Sequence, residues 1–235
     1  MNAEPLPPQL LKTLAQFDTP TICNALEIVA PHRRTTGFTT RTFVCADPAL
    51  VPMVGYARTA TMRALDPSPL SKDEQHRRRL DYYAYVAQQP GPAIVVMQDL
   101  DPEPGFGAFW GEVNSTIHKG LGCLGVVTNG SFRDLGVLAP GFQLLGGKLG
   151  PSHAYVHAVD FSCQVNVFGM TVSHNDLLHA DRHGAVVIPL DAAPHIPRAV
   201  ELCARREAVI LDTARRPGFD LASLRAALEH ADEIH

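Results

Sequence analysis

The sequence predicts an α/β fold, a mixed sheet built around a βαβ unit, with further strands packed on it and helices at both ends of the chain. Three observations predict it. A strand-helix-strand pattern fills residues 93–128, apolar runs of strand length replace helical periodicity from residue 140 onward, and helical segments open and close the chain.

Leu10 to Phe17 reads as a short helix. Asp18 or Thr19 caps a second one, with Pro20 in the first position and Thr21-Ile-Cys-Asn-Ala-Leu-Glu-Ile-Val29 as its body; Pro31 ends it. Between residues 33 and 62, β-branched clusters are broken by Gly37, Pro48, Pro52 and Gly55, which predicts short strands and loops. Asp73 to Gln89 is the next helix, stopped by Pro90-Gly91-Pro92. Ala93-Ile-Val-Val-Met97 is continuously apolar and β-branched, the pattern of a strand buried on both faces, and it ends in Gln98-Asp99. A loop rich in Gly and Pro leads to Trp110. Gly111 to Gly120 is a helix, Gly125-Val-Val-Thr128 a second buried strand, and Asn129-Gly130 a tight turn. The later runs FQLLGG, AYVHAVDF, QVNVFG, DLLHAD and AVVIP are strands, and Asp191–Leu211 and Asp220–Glu229 are closing helices around Pro217-Gly218. The chain, with 46% hydrophobic residues, reads as one domain over residues 1–235, carrying N-terminal helices (about 1–32) and C-terminal helices (about 191–235).

A net charge of -4 gives no basic field for nucleic acid or an anionic membrane, so a small molecule or another protein is the expected partner. Five scattered cysteines without a CxxC pair read as reduced thiols, not a disulfide framework. The opening MNAEPLPPQLLKTLAQ lacks the basic start and apolar run of a signal peptide, and no segment approaches a membrane span. A cytoplasmic protein is expected, in which the sequons at Asn114 and Asn129 are accidental.

Two features stand at the ends of predicted strands, where α/β folds place ligands. Gly111-Glu112 opens a helix, offering free N–H groups and a positive terminus for a carboxylate. Arg133-Asp134 joins a permanent cation to a hard oxygen donor, suited to an anionic substrate on Mg²⁺ or Mn²⁺. Spacing alone equally allows a helix-stabilising acid and a solvated ion pair.

At these residues the chain resembles a known family. Gly111-Glu112, Gly120-Leu-Gly-Cys-Leu-Gly-Val-Val-Thr-Asn-Gly130 and Arg133-Asp134 are similar to the RraA-like family and its 4-hydroxy-4-methyl-2-oxoglutarate aldolase branch. Glu112 stands 22 positions ahead of Asp134, as in that pattern. Asp176-Leu-Leu-His-Ala-Asp-Arg-His-Gly-Ala-Val-Val-Ile-Pro189 extends the likeness, which runs from about Thr19 to Glu207. The resemblance implies a three-layer β/β/α sandwich of the swivelling-domain kind, assembled as a homotrimer or homohexamer with sites between subunits. It implies that Asp134 ligates Mg²⁺ or Mn²⁺, that Arg133 holds a keto-acid substrate and steadies its enolate, and that Gly111 and the amides of Val113 and Asn114 hold the substrate carboxylate. Glu112 would orient a water, and Glu207, in ELCARREAVI, would complete a neighbour's site; either could direct the water that acts as base. The implied activity is cleavage of a 4-hydroxy-2-oxo acid to pyruvate, with oxaloacetate decarboxylation as a side reaction. The alternatives are a non-enzymatic regulator that binds a ribonuclease and a metal-dependent dehydratase or isomerase of a sugar-derived keto acid. No lysine is placed for a Schiff base, and no glycine motif for a methyltransferase cofactor follows an early strand.

The sequence departs from the family pattern at His174-Asn175-Asp176, where Pro-Gly-Asp is usual, at Asn24, and in the loop Asp99–Trp110. His153 and His157 would share a helix face as metal ligands, but the strand-like AYVHAVDF gives them structural roles. Asp181 and His183 flank a hairpin turn, His174 has no assigned role, and Trp110 either lines the pocket or covers it.

Overall fold

The structure, a computed structural model, describes residues 4–235; the first three residues of the segment assigned to the N-terminal helices lie outside it. In chain order its elements are α1 (Pro8–Leu14), α2 (Thr19–Val29), β1 (Val44–Cys45), β2 (Met53–Arg63), α3 (Lys72–Val86), β3 (Ala93–Asp99), β4 (Ala108–Trp110), α4 (Glu112–Gly120), β5 (Cys123–Thr128) and β6 (Ser131–Phe132). There follow β7 (Gln143–Gly146), β8 (Lys148–Leu149), β9 (His157–Phe161), β10 (Val165–Val167), β11 (Met170–Val172), β12 (Leu177–Asp181), β13 (Gly184–Ile188), α5 (Ile196–Ala214) and α6 (Leu221–Asp232).

The main sheet runs β1-β7-β5-β3-β2-β12-β13, with β9 also on β2. The strands β7, β5, β3 and β2 are parallel, and the rest are antiparallel. The βαβ reading is correct: β3 and β5 are parallel neighbours, and α4 lies between them in the chain. The expectation of short strands over residues 33–62 is corrected. Its second half is one strand of 11 residues, β2, buried along nearly its whole length. The early half of β2 pairs with β12 and the late half with β9, so the sheet curls around it. Gly55 does not break the strand. A Cβ there would lie 2.7 Å from the Pro92 carbonyl, so the glycine permits close backbone approach.

Strand alternation divides the core into layers. Ala93, Val95 and Met97 of β3 join Tyr82, Tyr85 and Trp110 beneath the helices, whereas Ile94 and Val96 face the small β10–β11 sheet with Val167 and Met170. A third cluster packs Leu14, Ile22 and Leu26 against Tyr56, Leu177 and Ile196, which docks the terminal helices on the sheet's other end. The cap of α2 is Asp18, accepting from the Thr21 amide at 2.9 Å. The α3 helix starts with a Ser71–Glu74 capping box and ends at Val86, short of Gln89; the α5 helix starts at Ile196, after a 3₁₀ turn over Ala193–His195.

The His174-Asn175-Asp176 departure has a physical account. Asn175 takes the left-handed conformation (φ 66°) that glycine usually supplies, and asparagine tolerates it. Its Oδ1 accepts from Nη1 of the fully buried Arg58 at 2.7 Å. Asp181 and His183 also turn out structural: the Asp181 carboxylate accepts from the Thr19 and His183 amides and ties α2 to the hairpin. Among the described residues no helix is long and apolar enough to cross a membrane. All five cysteines are free, and burial raises their thiols, Cys23 to about 11 and Cys123 to about 12, which leaves little nucleophilic thiolate.

One buried group sets a pH dependence. His118 of α4 is fully buried; its Nδ1–H donates to the Asn114 carbonyl (2.6 Å), and its Nε2 accepts from the Tyr82 hydroxyl (2.8 Å). Burial lowers its pKa to about 4. The unfolded chain binds this proton from about pH 6.5 downward and the fold does not, so the stabilisation is complete above about pH 6.5 and is lost as pH falls toward 4. The loss is roughly 3 kcal/mol at ~1.4 kcal/mol per unit. His179, also lowered by burial, acts in the same direction. Urea unfolding at pH 7 and pH 4.5 measures the effect, and His118→Gln should flatten it; an equally steep loss in that variant would refute this origin.

Candidate active site

The two sequence features are brought together by a small sheet that sequence reasoning did not find. The strands β4, β6 and β8 form two short parallel pairings, with Trp110 opposite Phe132. The Arg133 amide donates to the Trp110 carbonyl at 3.0 Å, continuing that register by one step. The residue after β4 is Gly111 and the residue after β6 is Arg133, so the pairing itself sets the helix start against the Arg-Asp step. The approach loop is held for this purpose: Asp99 accepts from the Asp101 and Gly105 amides, and Asp101 accepts from Ala64 and Leu65. Trp110 is core, not pocket lining; it is buried, and its ring packs 4.6 Å from His118 and 5.9 Å from Phe142.

Asp134 has a left-handed backbone (φ 61°, ψ 37°), a strained state for a non-glycine residue that aspartate adopts more readily than most. This aims its carboxylate back at the helix: Oδ2 accepts from the Glu112 amide at 3.2 Å and lies 3.4 Å from Arg133 Nε. A Cβ on Gly111 would lie 2.4 Å from that oxygen, so the glycine makes the cradle possible. For the lyase activity proposed below, Gly111→Ala should displace the carboxylate and lower kcat by about 10²-fold, the cost of a misplacement near 1 Å, with a far smaller change in melting temperature. Steady-state kinetics check it; an unchanged kcat would mean the cradle widens freely.

Gly111, Val113, Asn114, Arg133 and Asp134 all line one open cavity of about 540 Å³. The amides of Val113 and Asn114 fall in the first helical turn, where intrahelical carbonyls are lacking. The Asn114 side chain is a brace, donating to the Phe109 carbonyl and accepting from the Tyr83 hydroxyl. The carboxylates of Glu112 and Glu207 are not brought into the lining: Glu112 contributes its amide to Asp134, and Glu207 is exposed on α5. His153 and His157 do line the cavity, from an irregular segment and the start of β9, not from a helix. Their spacing concealed this, because neither lies next to a recognisable motif.

Among the described residues no group of three or more His, Cys, Asp or Glu side chains could hold a metal. The donor set nevertheless suits one kind of ion. Both contacts of Asp134 use Oδ2 and leave Oδ1 as a hard donor, and Mg²⁺ or Mn²⁺ is commonly held by one or two carboxylates with waters and substrate oxygens completing the shell. A closed zinc site, with four protein ligands, does not fit.

The model of the RraA-like family, described as Aldolase/RraA, matches residues 19–187. The chain belongs to this family. A search of curated proteins found no match. Among solved structures, RraAS2 of Streptomyces coelicolor, an unusual member of the RNase ES inhibitor RraA protein family, is 21% identical, with a TM-score of 0.67 over 91% of this chain and 100% of its own. An uncharacterized protein of Pseudomonas syringae pv. tomato is 18% identical, TM-score 0.67, over 95% of this chain and all of its own. The RNA-processing inhibitor RraA of Thermus thermophilis is 17% identical, TM-score 0.51, over 70% and 90%. These likenesses place the fold, a mixed α/β architecture with a curled sheet, among RraA-like structures.

Proposed function

We propose that this RraA-like protein is a divalent-metal-dependent lyase that cleaves a 4-hydroxy-2-oxo acid to pyruvate and a carbonyl product. One observation carries the reading: the β4–β6 register delivers Arg133 and Asp134 against the first turn of α4 at one cavity. The first-turn amides of Val113 and Asn114 would hold the substrate carboxylate, as helix N-termini hold anions. Arg133 keeps Nη2 beyond its contacts to Asp134 and the Pro151 carbonyl, and would add fixed positive charge where the enolate oxygen develops. Asp134 would hold Mg²⁺ or Mn²⁺, which when bound polarises the keto oxygen. Oxaloacetate loses CO₂ through the same enolate and should be decarboxylated. The reading includes a cytoplasmic homotrimer or homohexamer, with the exposed Glu207 of α5 reaching a neighbouring copy's cavity; light scattering tests the assembly.

The test is pyruvate release from a panel of 4-hydroxy-2-oxo acids and from oxaloacetate, with and without EDTA. Release that EDTA abolishes and Mg²⁺ or Mn²⁺ restores is expected. No release from any compound at any metal concentration would sink the lyase reading.

The ribonuclease-regulator reading is supported by the descriptions of the Streptomyces and Thermus relatives. It predicts that the chain inhibits RNA cleavage by a purified RNase E-type enzyme and that Asp134→Asn inhibits equally well. The placement of Arg133 and Asp134 together on an open cavity is what supports the lyase reading.

A further inference from the structure

The cavity that Arg133 lines also carries two imidazoles, those of His153 and His157. In each ring Nδ1 lies 2.7 Å from a backbone carbonyl, that of Ala154 for His153 and that of Tyr155 for His157. A carbonyl only accepts, so Nδ1 carries the hydrogen, and the neutral ring keeps its lone pair on Nε2.

The segment that presents them is fastened on several sides. Ala108 donates to the Ser152 carbonyl (2.9 Å), Tyr155 to the Ala64 carbonyl (3.0 Å), and Arg133 Nη1 to the Pro151 carbonyl (3.4 Å). A Cβ on Gly107 would lie 2.6 Å from the His153 carbonyl, so the segment packs where only glycine leaves room. Ala154 is held at φ 46°, a second strained non-glycine residue on the same cavity as Asp134.

His157 has the better position of the two. It is half-buried, whereas His153 is exposed. It also lines a second cavity of about 460 Å³, which shares Gln75, Phe109, Val113, Asn114 and Val156 with the first and continues to Tyr83 of α3. A substrate whose oxo-acid end sits at Arg133 and whose other half extends into the second cavity would cross the lining that the two cavities share, which includes His157.

We propose that His157 Nε2 is the acid–base group of this site, an inference that rests on the lyase reading. The proton of the 4-hydroxyl passes to Nε2. The oxygen's electron pair forms the product C=O as the C3–C4 bond breaks, and that bond's pair becomes the C2–C3 double bond of the enolate. The imidazolium then returns the proton to C3, giving pyruvate and a neutral ring, with no further reactant needed. Within one chain the carboxylates of Glu112 and Glu207 are off this lining and Asp134 is engaged by the Glu112 amide and Arg133, so the imidazole is the proton acceptor this chain itself supplies; Glu207 of a neighbouring copy is the competing acceptor, and the variants below separate the two.

The experiment compares two reactions in His157→Gln: cleavage of the hydroxy-oxo acid that the wild type splits fastest, and decarboxylation of oxaloacetate, which has no hydroxyl proton to remove. Cleavage should fall by about 10²- to 10⁴-fold, the usual contribution of a general base, and decarboxylation by less than about tenfold. Added imidazole should restore cleavage in His157→Ala, which also serves if the Gln variant does not fold. Equal losses in both reactions with no imidazole rescue, or no loss in either, would overturn the role. A wild type that releases pyruvate from neither compound would instead remove the lyase reading itself.

Discussion

Asp134→Asn should leave the fold in place and abolish both divalent-cation binding and turnover. The fold survives because asparagine also adopts the left-handed backbone that this position requires (φ 61°), and its side-chain oxygen can still accept from the Glu112 amide. The ion pair that the change removes, Arg133 Nε to Asp134 Oδ2 at 3.4 Å, is about one-third exposed on each side and is worth under ~1 kcal/mol. The proposed metal ligand changes much more. An amide oxygen carries no formal charge, and no second carboxylate among the residues lining the cavity can replace it. Calorimetry with Mn²⁺ reads binding independently of any substrate, and a thermal melt reads the fold. Undiminished Mn²⁺ affinity in the variant would move the metal site elsewhere, whatever the activity.

How much of this was legible in the sequence depended on whether the signal was local. The strand β3 and the β5 strand announced themselves as unbroken β-branched runs because both of their faces are buried, and the cap of α2 was legible because Asp18 bonds an amide three residues away. Gly111, Glu112, Arg133 and Asp134 stand out at the ends of predicted strands, but their roles come from resemblance, since residue types alone also fit a capped helix and an exposed ion pair. The β4–β6 pairing that makes them one site was hidden: strands of three and two residues have no periodicity to read, and their partners are far apart in sequence. The long β2 was misread for the opposite reason, because Gly55 looks like a break until the approach of the Pro92 carbonyl explains it. His153 and His157 read as structural from the strand-like AYVHAVDF, and that pattern says nothing about which cavity an irregular segment lines.

Arg133→Lys should lower kcat by about 10²- to 10³-fold while shifting stability by under ~1 kcal/mol, the former being the usual cost of losing one donor aimed at a developing oxyanion. The argument is geometric. The Arg133 fork is already shared: Nε faces Asp134 at 3.4 Å, and Nη1 reaches the Pro151 carbonyl at 3.4 Å. These two contacts fix the plane of the guanidinium between the Asp134 carboxylate and the wall that carries the imidazoles, and they leave Nη2 uncommitted. A lysine keeps the charge but has three donors on one atom, so it cannot face Asp134, Pro151 and an enolate oxygen in those directions at once. The loss should therefore fall on kcat more than on KM, because the missing contact strengthens only as charge moves onto the oxygen. Oxaloacetate decarboxylation is the suitable assay, since it forms the same enolate without the hydroxyl proton transfer and so isolates Arg133 from His157. A lysine variant with near-wild-type kcat on oxaloacetate would return Arg133 to the role of a surface ion-pair partner.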